Sequence, residues 1–297
     1  MKSSLPLSIW VADPSDSSLV RAGFRWREAG GNGTKHSLSF VSSLSEVPSE
    51  VDLVIVSTSA SVRADVVEEI ASRTRVCFWV LEKVLAQSHD DLERLKKATA
   101  KAESVWVNIP RRMMRWHQEI ARMISYENPS YILVDGGNWG LTCNSVHFLD
   151  LAAYLFKEAP LEIDASGLNN SWYASKRARF YEVDGILRAK FSAGKWLTLH
   201  CTETDRDGEI QITTDKGLWK IREGSGEAIA PDGKYIYGEL ENQSDMTSRL
   251  VESILETGTC ELPSLDEALV LHRPFLNALI MHWNRSQNRE DIRVPIT

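Results

Sequence analysis

The feature that constrains the fold most is a set of three short apolar runs separated by helical patterns. Residues 51–57, 76–81 and 105–109 are each rich in Val, Leu, Ile or Trp. A strand that is apolar along its whole length is typical of a parallel sheet covered by helices on both faces. Between the last two runs, Ser88 with Asp91 three residues later predicts a helix start. The alternation of strands and helices therefore predicts a doubly wound α/β unit.

The pattern changes in the second half of the chain. Short alternating runs, separated by Asp-Gly, Ala-Gly and Lys-Gly pairs, predict antiparallel strands at residues 186–191, 196–201, 209–213 and 218–221. Helical patterns close the chain, and Ser264 with Glu267 predicts a capping box at the start of the last one. The predicted fold class is α/β, with a Rossmann-type parallel-sheet domain over residues 1–125 and an α+β domain with a mainly antiparallel sheet over residues 126–297.

Composition and charge exclude several classes of function. The chain has 297 residues, 43% of them hydrophobic, which is enough for one large or two modest buried cores. Its net charge is -7 and its acidic and basic residues are interspersed, so the sequence has no cluster of basic residues that would bind nucleic acid or an anionic membrane. No stretch approaches the roughly 18 consecutive apolar residues of a membrane span, and the first residues lack the apolar core of a secretory signal. We expect a cytoplasmic protein.

Cysteine and histidine spacing argues against a metal site. The four cysteines form no CxxC pair, and the seven histidines show no HxH or HExxH spacing. Reduced thiols in the cytosol are the simplest expectation for cysteines so far apart in the chain. We predict no metal.

Glu82 and Lys83 follow the second of the three apolar runs. Open parallel sheets bind their ligands at the carboxyl ends of the strands, so this is where a functional lysine would lie. By itself, Lys83 is more often expected to be an ordinary solvated lysine at a strand end.

Three motifs, in order along the chain, resemble the Gfo/Idh/MocA oxidoreductases. Leu81-Glu82-Lys83-Val84 resembles the Glu-Lys-Pro that follows a dinucleotide-binding strand in that family. Residues 106–112, which run into Pro110-Arg111-Arg112, resemble the family's next strand and its arginine. Residues 136–150 resemble a glycine-rich approach to a helix with the pattern DxGxHxxD. The later sheet and helices agree in order, so the resemblance spans essentially the whole chain.

The resemblance implies an NAD(P)-dependent oxidoreductase that acts on a sugar or cyclitol CH–OH group, in nucleotide-sugar or surface-polysaccharide metabolism. It implies that Lys83 and His147 carry the proton chemistry. The cofactor is NAD or NADP, with NAD slightly favoured because Asp13 would accept from the ribose 2′-hydroxyl.

The resemblance also implies the site residues and the partners. The implied cofactor-binding residues are Asp13, Ser57, Thr58, Glu82 and Lys83. The implied substrate-binding residues are Arg111, Arg112, Asn138, Trp139, Asn144 and Asp150. The expected partners are a sugar substrate and further copies of the chain, in a homodimer or homotetramer formed through the exposed face of the antiparallel sheet.

Several of these side chains also have a purely structural interpretation. A single histidine on a helix rich in Phe and Leu, as His147 is, more often lies hydrogen-bonded in a core. One of two adjacent arginines usually faces water, so at most one of Arg111 and Arg112 is expected to bind a carboxylate or phosphate. Trp139 is equally typical of a core. Asp150, three residues after His147, can orient the imidazole or contact substrate.

The sequence departs from the family pattern at three points. No GxGxxG loop precedes residue 8, so we expect the first strand-helix unit of the Rossmann sheet to be missing and its neighbouring strand edges to be unpaired. Cys143 stands where the motif has Asp, four residues before the histidine, and Val84 stands where it has Pro. Two other interpretations therefore stay open. One is a family member that has lost catalysis and serves as a binding or assembly protein, and the other is a truncated chain of an ordinary enzyme.

Overall fold

The computed structural model describes residues 4–31 and 35–297, which form fifteen strands and seven α-helices. The strands are β1 (Ser8–Ala12), β2 (Ser37–Val41), β3 (Glu50–Val56), β4 (Arg75–Glu82), β5 (Ser104–Asn108), β6 (Tyr131–Gly137), β7 (Glu162–Leu168), β8 (Tyr173–Ala174), β9 (Tyr181–Glu182), β10 (Gly185–Lys190), β11 (Trp196–Thr202), β12 (Glu209–Thr214), β13 (Gly217–Arg222), β14 (Glu227–Ile229) and β15 (Tyr235–Tyr237). The helices are α1 (Asp16–Glu28), α2 (Arg63–Arg73), α3 (His89–Ala98), α4 (Arg115–Ile124), α5 (Leu141–Phe156), α6 (Gln243–Thr257) and α7 (Leu265–Gln287).

The three predicted apolar strands form a parallel sheet in the order β3-β4-β5. Successive residues of β4 point to opposite faces, so Leu81 packs in one core with Val67 of α2, and Val80 packs in another with Leu250 of α6. Because apolar layers cover both faces, the strand has to be apolar along its length. The prediction of a parallel α/β unit is confirmed.

A second, two-stranded parallel sheet pairs β1 with β2. Among residues 4–31 and 35–297 no ladder joins β1 to β3, so each has one hydrogen-bonded neighbour. Several apolar side chains of this region are exposed by 37–54%, namely Trp10, Phe24, Phe40 and Ile55. Within the part of the chain that the structure describes, both parallel sheets thus present unpaired strand edges.

The larger sheet has eight strands in the order β15-β14-β13-β12-β6-β11-β10-β7. All neighbours are antiparallel except β6 and β11, which are parallel with Trp196 opposite Tyr131. The sequence patterns predicted β10 to β13 within a residue of their bounds, but they missed β6, whose glycines we interpreted only as an approach to a helix. Gly137 is required there because a Cβ would lie 1.6 Å from the carbonyl oxygen of Thr204.

Helices α5 and α7 bring the end of the parallel sheet and the eight-stranded sheet together. The first turn of α5 lies beside the end of β4, and its later residues, including Leu149 and Ala152, are fully buried. The capping box predicted at Ser264 and Glu267 starts α7, and the Ser88 hydroxyl accepts from the Asp91 amide at the start of α3. Every helix in the described ranges falls short of the length and apolarity that a membrane crossing requires.

Candidate active site

A cavity of about 650 Å³ opens at the carboxyl ends of β3, β4 and β5. Loops after the three strands, the first turn of α5 and one face of α6 line it, and its polar lining includes Ser57, Thr58, Glu82, Lys83, Asn108 and Cys143. A second cavity, of about 550 Å³, lies beside the start of β4 and is lined by none of the predicted site residues. The larger cavity therefore gathers four of the five predicted cofactor-binding residues.

Asp13 is the exception. It follows β1, and its Oδ1 accepts from the Ser15 amide at 2.8 Å in a local turn. The α1 residue that lines the cavity is Arg25. The structure therefore leaves Asp13 outside the group formed by the other predicted cofactor-binding residues.

The Lys83 ammonium is held by the first turn of α5. Its Nζ donates to the Cys143 carbonyl oxygen at 2.9 Å, to Cys143 Sγ at 3.2 Å and to Asn144 Oδ1 at 3.3 Å. The peptide bond that joins Lys83 to Val84 is cis. The three protons of the ammonium thus each have an acceptor, so Lys83 is not an ordinary solvated lysine at a strand end.

Two buried side chains position the segment that follows Lys83. Arg63 donates to the carbonyl oxygens of Thr58, Val84 and Leu85, and so ties the loop after β3 to the loop after β4. Burial lowers the pKa of Arg63 to about 10. His272 of α7 accepts from the Leu85 amide at 3.2 Å, and its Nδ1 donates to the Ala268 carbonyl oxygen at 2.7 Å.

His272 makes the stability of this segment depend on pH. Burial lowers the pKa of His272 to about 4 from a usual 6.5. The unfolded imidazole binds a proton below pH 6.5 but the folded one does not until about pH 4. Stability from this group is therefore present above pH 6.5 and is lost as the pH falls toward 4.

We predict that His272→Gln removes this dependence, since a glutamine amide can replace both hydrogen bonds but does not titrate. Between pH 7.5 and 4.5 the wild-type protein should lose about 2–3 kcal/mol more unfolding free energy than the variant. Urea unfolding at both pH values measures this loss.

Asp150 also titrates in this pH range, because burial raises its pKa to about 6. Its protonation changes the unfolding free energy with the opposite sign, so the difference between the wild-type protein and the variant is the quantity to compare. Equal pH dependence in both would contradict the prediction.

The start of α5 is capped from a distant strand. The helix follows Gly140, whose φ of 71° is left-handed and favours glycine. Glu182 of β9 accepts from the Thr142 amide at 2.8 Å, the Thr142 hydroxyl at 2.6 Å and the Cys143 amide at 3.3 Å. A carboxylate there satisfies free amides and complements the helix dipole, although burial raises the pKa of Glu182. Glu182 thereby fixes the turn that holds Lys83.

His147 lies one helical turn after Cys143 and is half-buried. Burial lowers the pKa of His147 well below its usual value, and the charges of Arg111 and Lys83 lower it further. Within the described part of the chain its Nδ1 has no hydrogen-bond partner. The imidazole is therefore neutral at physiological pH, and it is not the hydrogen-bonded core histidine of the alternative interpretation.

Arg111 is occupied by a buried carboxylate. Its Nε and Nη2 each donate to Glu223 at 2.8 Å, and its guanidinium lies 4.3 Å from the centre of the Phe148 ring. Glu223 also contacts His117 Nε2 at 2.8 Å. Burial by itself would raise the pKa of Glu223, but the charge of Arg111 and the hydrogen bonds hold it well below the usual range. The charge of Arg111 is therefore neutralised by Glu223.

Arg112 forms a second ion pair. It donates to both oxygens of the fully buried Asp150 at 3.0 and 2.5 Å, and to Glu267 at 3.1 Å. The side chains of Arg111 and Arg112 are each only 12% exposed, so the expectation that one of them faces water is wrong. Asp150 turns toward Arg112, and the structure shows no hydrogen bond from it to His147 among the described residues.

The remaining predicted substrate residues form the turn that precedes α5. Asn138 Nδ2 donates to the Glu203 carbonyl oxygen at 3.2 Å, and Trp139 Nε1 donates to that of His200 at 3.0 Å. The Trp139 ring packs edge to face on Phe148, with ring centres 5.4 Å apart. Of this set, Asn144 is the residue that contacts Lys83 directly.

The described residues form parallel α/β sheets followed by a larger, mainly antiparallel sheet. No protein-family model matches the sequence, and no curated protein matches it. Among solved structures, the chain is similar to aldose-aldose oxidoreductase from Caulobacter crescentus, with 16% identity, a TM-score of 0.67 and coverage of 93% of this chain and 88% of that one. It is similar to the WlbA dehydrogenase of Bordetella pertussis, solved with NADH and UDP-GlcNAcA, with 16% identity, a TM-score of 0.62 and coverage of 97% and 91%. It is also similar to a super-repressor mutant of Gal80p from Saccharomyces cerevisiae, with 15% identity, a TM-score of 0.68 and coverage of 95% and 90%. The chain has the fold of the Gfo/Idh/MocA-type oxidoreductases, as the motifs predicted.

Proposed function

We propose that the chain is an NAD(P)-dependent oxidoreductase that interconverts a carbinol and a carbonyl of a sugar or cyclitol. The observation that carries this proposal is the Lys83 ammonium, held at the carboxyl end of a parallel sheet by the first turn of α5, with a neutral His147 one helical turn further on whose pKa the charge of Lys83 lowers. An ammonium can stabilise the alkoxide that develops on the substrate oxygen, and a neutral imidazole can accept the hydroxyl proton. A bound nicotinamide supplies the hydride acceptor or donor.

The described lining of the cavity suits the nicotinamide end of such a cofactor. Thr58 and Arg63 line it, and Thr58 Oγ1 and Arg63 Nε are buried with no hydrogen-bond partner among the described residues, so a ligand that reached them would satisfy both. Ser57 adds a hydroxyl, and Glu82, which already accepts from Asn108 at 2.6 Å, adds a carboxylate that can accept from ribose hydroxyls. NAD is slightly favoured over NADP on the strength of the family pattern alone.

Binding of NADH is the direct test. We predict saturable binding by calorimetry, weakened about fivefold by Thr58→Val, which keeps the side-chain shape but removes one buried hydroxyl worth about 1 kcal/mol. Thr257→Val, at the far end of α6, is the matched control and should bind like the wild-type chain. Turnover is then measured with a panel of sugars and cyclitols. Absence of NADH and NADPH binding at millimolar concentration would refute the enzyme proposal for this chain.

A second candidate is a binding or assembly protein that has lost catalysis. Its support is that the ammonium of Lys83 is fully occupied by α5, with Cys143 standing where the family motif has Asp. A super-repressor mutant of Gal80p, which is not named as an enzyme, has a similar fold. Saturable nucleotide binding without turnover of any sugar in the panel would favour this candidate.

We also propose a cytoplasmic homodimer or homotetramer assembled through the face of the eight-stranded sheet. The pairing register lines up five residues across that face, namely Lys190, Trp196, Tyr131, Thr213 and Leu218. Trp196 and Leu218 are 37% and 39% exposed, and apolar side chains in such a row favour association.

Light scattering on the purified chain tests the assembly. Replacing Trp196 and Leu218 together by glutamate should convert the oligomer to a monomer, since the charges would be buried unpaired. Val270→Glu, on an exposed position of α7, should leave the mass unchanged. A monomeric wild-type protein would contradict the proposed assembly.

A further inference from the structure

Cys143 and Lys83 meet at the cavity as a thiol and an amine in direct contact. Their Sγ and Nζ atoms are 3.2 Å apart, and the carbonyl oxygen of Cys143 and Oδ1 of Asn144 hold the same ammonium in place. We propose that this pair is a site of oxidative modification, at which peroxide converts the contact into a covalent Sγ–Nζ bond, a sulfenamide. The proposal concerns these two side chains and does not require the reaction proposed above.

The sulfur of Cys143 lies next to a cation. Cys143 is in the first turn of α5, and the Lys83 ammonium donates to its Sγ at 3.2 Å. Both residues line the cavity of about 650 Å³, which admits a molecule as small as hydrogen peroxide. Reaction at Cys143 therefore needs no opening of the core.

Two of the other cysteines provide an internal contrast. Burial raises the pKa of Cys201 to about 12 and that of Cys260 to about 11. Thiols of this kind react slowly, because the thiolate is the nucleophile. We therefore expect oxidation to be selective for Cys143 over both.

The chemistry balances with peroxide as the oxidant. The Cys143 thiolate attacks one peroxide oxygen, the O–O bond breaks, and the products are a sulfenic acid and hydroxide. The hydroxide takes a proton from the adjacent Lys83 ammonium, which yields water and a neutral amine. The amine nitrogen attacks the sulfenic sulfur, the S–O bond breaks, and a second water leaves with one amine proton. Thiolate, ammonium and peroxide thus give one S–N bond and two waters, with sulfur oxidised and peroxide reduced.

The bond would remove the ammonium of Lys83 from the cavity and tie β4 to α5. A thiol reductant reverses it, because attack on the sulfur releases the amine and leaves a disulfide that is reduced in turn. If the chain is the proposed oxidoreductase, the link removes the ammonium that its reaction needs. The chemical test below stands whether or not the chain turns over a sugar.

Peptide mass spectrometry of the full chain, treated with hydrogen peroxide, tests the link. Cys77 and Lys83 lie in the same tryptic region, residues 76–94, and Cys143 lies in residues 123–157. A Cys77→Ala background is therefore used, so that a disulfide from Cys77 cannot imitate the result. We expect a linked pair of these peptides that is two hydrogens lighter than their sum, uncut after residue 83 and separated by dithiothreitol.

Two variants in the same background complete the experiment. Cys143→Ser should abolish the link. Lys83→Arg keeps the positive charge but has no amine to condense, so it should leave a Cys143 sulfenic acid that a dione probe captures. A wild-type chain in which the two peptides stay separate would overturn the proposal, as would a link that persists in Lys83→Arg or one that retains an oxygen atom.

Discussion

Replacing Lys83 by methionine is expected to lower kcat about 10²–10⁴-fold in the proposed reaction, the usual contribution of a positioned acid or base. Methionine keeps the length of the side chain and its packing, but it cannot stabilise an alkoxide or move a proton. KM for the nucleotide should rise far less than kcat falls, because Ser57, Thr58 and Glu82 still line the cavity. Initial rates followed by NADH absorbance give kcat and KM separately.

The matched control for this substitution is Lys96→Met. Lys96 lies on α3 and pairs with the exposed Asp266 at 2.8 Å, away from the cavity. It should retain the wild-type kcat. If Lys83→Met kept kcat within a few-fold of the wild-type value, Lys83 would have no part in the chemistry, and the binding-protein candidate would gain support.

Replacing Asp150 by asparagine is expected to lower the free energy of unfolding by about 3–5 kcal/mol. Asp150 is fully buried and both of its oxygens accept from Arg112, so the substitution leaves a largely buried guanidinium without its main counter-charge. Breaking a buried ion pair from one side costs this much because the remaining charge stays desolvated. Urea unfolding at neutral pH, where Asp150 is ionised, measures the change.

Glu267→Gln removes the other carboxylate from the same arginine. Glu267 is 55% exposed, and exposed pairs contribute about 0–1 kcal/mol. The two variants therefore separate the effect of burial from the loss of charge. Equal destabilisation by both substitutions would show that the buried position of Asp150 confers no special role.

Much of the parallel unit was predictable because a strand covered on both faces has to be apolar along its length. Residues 51–57, 76–81 and 105–109 carried that pattern and became β3, β4 and β5. The hydroxyl caps at Ser88 and Ser264 were likewise predictable, since each is satisfied within three residues. By contrast β6 was missed, because its pairing with β11 joins residues about 65 positions apart and its glycines obscure the strand pattern.

The same distinction runs through the site. The identity and order of Glu82, Lys83 and His147 were visible in the chain, and so was the thiol at Cys143. What surrounds them was not, because ion pairs and caps between distant segments leave no spacing signal. Glu182 caps α5 from 40 positions away, and Glu223 neutralises Arg111 across 112.

The sequence by itself thus determined the strands of the parallel sheet, the place of Lys83 at its edge and the family whose motifs the chain resembles. Apolar periodicity and short-range capping are local, so they can be read along the chain. Only the tertiary structure decided that Lys83 points at Cys143, that Arg111 and Arg112 are held by buried carboxylates, and that His147 is neutral. Those outcomes depend on burial and on charges that folding brings together.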